Sequence, residues 1–148
     1  MSNMILAGLL LAAATASGGA VEHHLRVDHA TGAVDASYRG DVAITHKQVG
    51  AAGPGGRAST LSCAWQANVA VVRDARHPSG SSFTRSIETK SVIAGRRPGW
   101  CATQRAAIAQ EVAQRTEEFR DHLIQVAQED HSTLRAEIDR SRLLPRTG

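Results

Sequence analysis

Seven histidines, two cysteines and a concentration of arginines are the side chains in this sequence that could do chemistry. His23 and His29 fall on one face of an alternating stretch, but six residues of strand set them roughly 20 Å apart, too far to share a metal. His24 takes the opposite face. Glu118 and His122 lie one helical turn apart and would need further ligands from elsewhere. His-Glu-x-x-His is absent, so no metal or other cofactor is expected. Each histidine is read as a strand-end or surface residue with a local hydrogen bond. Gly-x-Ser-x-Gly is also absent, and the serines and threonines fall in turns or on polar strand faces, where local propensity accounts for them. Glu117, Glu118 and Asp121 read as a solvated helix surface, and catalysis is the less favoured expectation.

The arginines are more suggestive. Arg96, Arg97 and Trp100 cluster beside Cys101, and strand register places Arg73 opposite Arg85 across a hairpin. Like charges directly opposite are destabilising unless an anion or carboxylate lies between them. Arginine and tryptophan are also the residue types that anchor interfaces and grip phosphate or carboxylate. Arg73, Arg85, Arg96, Arg97 and Trp100 are therefore the candidate binding residues.

Net charge is +3 with a sequence pI near 9.4, and 15 of the 17 basic residues are arginine. From Arg57 to Arg97 seven basic residues face two acidic ones, Asp74 and Glu88. The first 20 residues carry no charged side chain. Met4 to Ala14 is an apolar run too short to cross a membrane, and small residues follow it up to Ala20. This pattern predicts a signal peptide over residues 1–20, cleaved after Ala16 or Ala20, and an exported chain that is periplasmic or secreted. Outside the cytoplasm two cysteines read as one disulfide, Cys63 to Cys101, and a basic surface favours an anionic envelope component or an acidic protein over nucleic acid.

The elements that must hold these residues follow from periodicity. Val21 to His29 and Val34 to Thr45 alternate as strands, with His29 set opposite Val34. Gly40 suggests a bulge or bend. Val49 to Arg57 is a glycine-rich loop without the Gly-Lys-Ser/Thr ending of a phosphate cradle. Leu61 to Val72 is the strongest strand, and His77-Pro78-Ser79-Gly80 turns it into a fourth, about Ser82 to Ala94, with Trp65 facing Ile93 and Lys90 outward. From Cys101, Ile108, Val112, Phe119, Leu123 and Val126 make the apolar stripe of a long helix, with Thr103 as N-cap and a Glu111–Arg115 pair. Asp130 falls on that stripe while Leu134 and Ile138 drift off it. The pattern thus predicts a break near Glu129 to Thr133 and a short last helix.

The expected fold is α+β: a four-stranded antiparallel meander with one long C-terminal helix on its apolar face and a short terminal helix, residues 21–148 forming a single disulfide-linked domain. The functional expectation is a non-enzymatic exported binding or envelope-associated protein using its arginine-rich surface. Its rivals are a small hydrolase or metal-dependent enzyme with a cleft between sheet and helix, and a homo-oligomer assembled through Leu134, Ile138 and Leu143.

Overall fold

A computed structural model describes residues 19–55 and 59–143, so most of the expected signal peptide and the last five residues lie outside it. Four strands follow one another, β1 (Ala20–Val27), β2 (Val34–Val49), β3 (Ser62–Arg76) and β4 (Ser82–Pro98), and then two helices, α1 (Cys101–Gln114) and α2 (Thr116–Leu143). The strands form one antiparallel sheet in the order β1-β2-β3-β4. Both helices lie on one face, α1 over β2 and β3, and α2 over β1, β2 and β4. The α+β meander read from the sequence is therefore the architecture. No helix among the described residues is long and apolar enough to cross a membrane.

Alternation decides which face the helices cover. Val34, Ala36, Tyr38 and Val42 of β2 and Cys63, Trp65, Ala67, Val69 and Val71 of β3 are buried with Ile108, Leu123, Leu134 and Ile138 of the helices. Gly40 makes no bulge. It pairs regularly with Val21 and Val71, and a Cβ there would meet Leu123 Cδ1 at 2.7 Å, so glycine lets α2 approach the sheet.

Three details of register differ from expectation. The β1–β2 turn is wider, so Val27 rather than His29 pairs with Val34; a two-residue slip keeps every side chain on its face. Two one-residue irregularities in the β3–β4 ladder, at Ala67/Asn68 and Val69/Val71, bring Gly95 rather than Ile93 opposite Trp65. Lys90 consequently pairs with Val69 and lines a groove against α2 instead of standing with the outward residues.

The helical break is also elsewhere. It falls at Arg115 (φ −104°, ψ 31°), and α2 runs unbroken through Asp130 to Leu143, about 42 Å. Asp130 does not end the helix because its carboxylate is neutralised from the sheet. The bend and the twist of the sheet together keep Leu134 and Ile138 inward, at 0% and 1% exposure. These two side chains belong to this chain's own core, which leaves Leu143, 83% exposed, from the proposed oligomer contact. Arg115 pairs with Glu118 rather than Glu111, which goes to Arg97.

Cys63 and Cys101 are joined by a disulfide, tying β3 to the first residue of α1. Thr103 does not cap that helix; its hydroxyl donates to the Trp100 carbonyl at 2.8 Å. The cap comes from Gln48 of β2, whose Oε1 accepts from Cys101 N–H at 2.7 Å while its Nε2 donates to the Ser62 and Gly99 carbonyls at 3.1 Å each. Gln48→Ala removes three hydrogen bonds at once and is expected to lower stability by about 1–3 kcal/mol in chemical denaturation, chiefly by fraying α1.

Candidate functional site

The five candidate residues divide between two places. Arg73 and Arg85 are directly opposite across β3 and β4, as the register requires, and the carboxylate that this pairing calls for is Asp130. Arg73 Nη1 donates to Asp130 Oδ2 at 2.6 Å, Arg85 Nη1 donates to Oδ1 at 2.7 Å, and the Tyr38 hydroxyl donates to Oδ2 at 2.9 Å. Arg73 Nη2 also bonds Glu137, and its Nε reaches the Phe83 carbonyl at 3.4 Å. Arg73 is fully buried and Asp130 is 4% exposed. Burial, reinforced by the Asp130 carboxylate, pushes the Tyr38 phenol upward, so Tyr38 stays a donor. The guanidinium of Arg73 has no face left for a ligand, and Arg85 keeps a partly exposed edge.

Arg96, Arg97 and Trp100 lie at the disulfide end. Arg97 faces the helices and is held by Gln104 Oε1 and Glu111 Oε2, both at 3.1 Å. Trp100, 55% exposed, projects from the tip rather than filling the seam between sheet and helix. Arg96 stands on the open face of the sheet, in a row with Ala64 of β3 and Lys47 of β2. Two strand spacings separate Lys47 from Arg96, about 10 Å between backbones, with only a methyl group between. The next row is Thr45, Gln66 and Ala94. Together the two rows line a shallow concavity of about 850 Å³. Its lining holds two cations, an amide and a hydroxyl, together with His46, Trp65 and Gly95 of the row between, and no carboxylate among the described residues.

The far half of the same face is electrically settled. Arg26 pairs with Asp35 at 3.0 Å, Arg39 with Asp41 at 3.3 Å, and Arg76 with Asp74 at 3.3 Å. The imbalance read from the Arg57–Arg97 segment is thus confined, on this face, to the disulfide end. On the helix side of that end, burial and the Arg105 charge lower the pKa of His46, which keeps its ring neutral near pH 7. Its Nε2 and the Trp65 Nε1–H beside it are buried without hydrogen-bond partners.

A second concavity, about 640 Å³, runs between β4 and α2, with Arg85 and Lys90 on one wall and Glu118, Asp121 and Glu129 on the other. Burial and the Lys90 charge lower the pKa of His122 in that groove, against the opposing pull of Glu129. No three His, Cys, Asp or Glu side chains among the described residues converge as metal ligands.

Sequence reasoning singled out Arg96 but missed Lys47, Thr45 and Gln66. The missing signal was pairing across three strands, since Lys47 and Arg96 are 49 positions apart and meet only through Ala64. It likewise missed Asp130 as the partner of Arg73, although two opposed arginines were themselves the sign that an acid was needed. Comparison with known proteins returns no match to any family model, curated protein or solved structure.

Proposed function

We propose that this chain is an exported binding protein that holds an anionic partner, an envelope surface or an acidic protein, on the disulfide end of its open sheet face. One observation carries the reading. Among the described residues, every arginine in the far half of the face is matched by a carboxylate, whereas Lys47 and Arg96 flank a concavity that contains none. A phosphate or carboxylate between them would gain two cations and hydrogen bonds from Gln66 and Thr45. Trp100 at the adjacent tip supplies an exposed aromatic anchor of the kind that interfaces use. The apolar run before Ala20 and the Cys63–Cys101 bridge support export to an oxidising compartment.

Binding of the chain to phosphatidylglycerol vesicles and to poly-glutamate is the test. Each basic residue near an anionic surface contributes about 1 kcal/mol, so Lys47→Gln/Arg96→Gln is expected to weaken binding about 30-fold. Raising salt from 50 to 500 mM should weaken the parent steeply and the double variant little. Equal affinity of parent and variant, or binding indifferent to salt, would contradict the reading.

A further inference from the structure

The two hairpin turns at the opposite end of the sheet carry the same short motif, His29-Ala30-Thr31-Gly32 and His77-Pro78-Ser79-Gly80. In each the glycine has positive φ and its N–H donates to the histidine carbonyl, at 3.0 Å for Gly32 and 2.9 Å for Gly80. In each the backbone N–H two residues after the histidine donates back to Nδ1, at 3.3 Å from Thr31 and 3.0 Å from Ser79. A nitrogen that accepts carries no proton, so both rings are fixed as the Nε2–H tautomer. The roles in the remaining contacts then follow. His29 Nε2–H donates to Asp139 Oδ1 at 2.7 Å, the Thr31 hydroxyl donates to His29 Nδ1 at 2.7 Å, and His77 Nε2–H donates to Thr31 Oγ1 at 3.1 Å.

Neither turn needs this much. A hairpin closes on its own backbone bonds, yet Asp139 arrives from α2, 110 positions from His29, and His77 crosses from the other turn. The His29 ring is nearly enclosed, at 5% side-chain exposure, while Thr31 lies at the surface. Thr31 lines a concavity of about 960 Å³ together with Phe83, Ile138 and Arg142. A hydroxyl hydrogen-bonded to an imidazole whose other nitrogen is held by a carboxylate is the constellation that activates an oxygen nucleophile.

We infer that Thr31 is the nucleophile of an acyl-transfer site that hydrolyses small carboxylic esters. Thr31 Oγ attacks the ester carbonyl carbon as its proton passes to His29 Nδ1, held in place by Asp139. One Oγ lone pair takes the His77 hydrogen bond and the other remains to attack. The negative charge developing on the carbonyl oxygen is stabilised by Arg142, which lines the same concavity. Collapse of the adduct breaks the C–O bond to the leaving alcohol, which takes the proton from His29. Water, deprotonated by His29, then cleaves the acyl-threonine to carboxylic acid and restores the hydroxyl. His29 and Thr31 are catalytic residues in this scheme, and Asp139 is a positioning residue.

Initial rates on p-nitrophenyl acetate and butyrate, with labelling by a fluorophosphonate probe, test it on the oxidised full chain. The parent should turn over both esters and take the label on Thr31. Thr31→Ala should abolish both, Thr31→Ser should retain activity within about tenfold, and His29→Gln should lower kcat by about 10²–10⁴-fold. Asp139→Asn should lower kcat with KM unchanged, a split that a merely structural contact would not give. Ser86→Ala, on the open sheet face, should match the parent. Thr31 sits in an exposed turn, so its alanine variant is expected to keep the parent's melting temperature. Hydrolysis by the parent no faster than by Thr31→Ala, or a label on any other residue, overturns the assignment.

Discussion

Asp130→Ala is expected to remove about 3–5 kcal/mol of stability, because it strands a buried guanidinium rather than because it deletes a strong bond. In the folded chain Asp130 answers three donors, from Arg73, Arg85 and Tyr38. Without it Arg73, at 0% exposure, keeps only Glu137 as a charge partner. Water cannot replace the lost carboxylate there, so most of the desolvation penalty of the guanidinium appears as lost stability. For a chain of this size the loss corresponds to a fall in Tm of roughly 10–25 °C. The triple variant Tyr38→Phe/Arg73→Met/Asp130→Leu removes the acceptor and its two buried donors, leaving Arg85 and Glu137 with partial access to solvent, and should recover most of it, since a well-packed apolar replacement of a buried ion pair is often neutral. A loss below about 1 kcal/mol in Asp130→Ala would mean that water reaches Arg73 and that the network is not desolvated.

Loss of the disulfide is the second large effect. Cys63 and Cys101 are 38 positions apart, and closing a loop of that length restrains the unfolded chain by about 4 kcal/mol on the chain-entropy account. Cys63→Ser/Cys101→Ser should therefore approach the Asp130 variant in severity under equilibrium denaturation. The spatial signature should differ. Helix α1 is pinned at its first residue by the bridge and by Gln48, whereas α2 is pinned near its middle by Asp130. Hydrogen exchange in the cysteine-free variant should accelerate through Cys101–Gln114 while α2 keeps most of its protection. The Asp130 variant should show the reverse.

The sequence-level reading reached the sheet because alternation and turn chemistry are local. His77-Pro78-Ser79-Gly80 alone set the β3–β4 register as far as Val71 opposite Ile87. It failed beyond that point because two ladder irregularities in a run such as Val69 to Ala67 leave no signature in residue types. Asp130 shows the same limit from the other side. A carboxylate on an apolar stripe reads as the end of a helix unless its partners are visible, and those partners lie 45 and 57 positions away. The cationic concavity was half legible: Arg96 stood out in its cluster, but Lys47 stood alone until the sheet brought it across. His77 was assigned to a turn correctly, and the hydrogen bond that joins it to Thr31 of the other turn exists only in three dimensions.

Chemical-shift mapping of the chain titrated with a short dextran sulfate at low salt tests most directly where its charge is available. The expected shifts fall on Thr45, Lys47, Gln66 and Arg96, with the Nε–H resonance of Arg73 unmoved because its side chain is sealed against Asp130 and Glu137. Shifts centred instead on Arg73 and Arg85, with Lys47 and Arg96 silent, would mean that the buried carboxylates yield to an outside anion, and the assignment of the open face would fall.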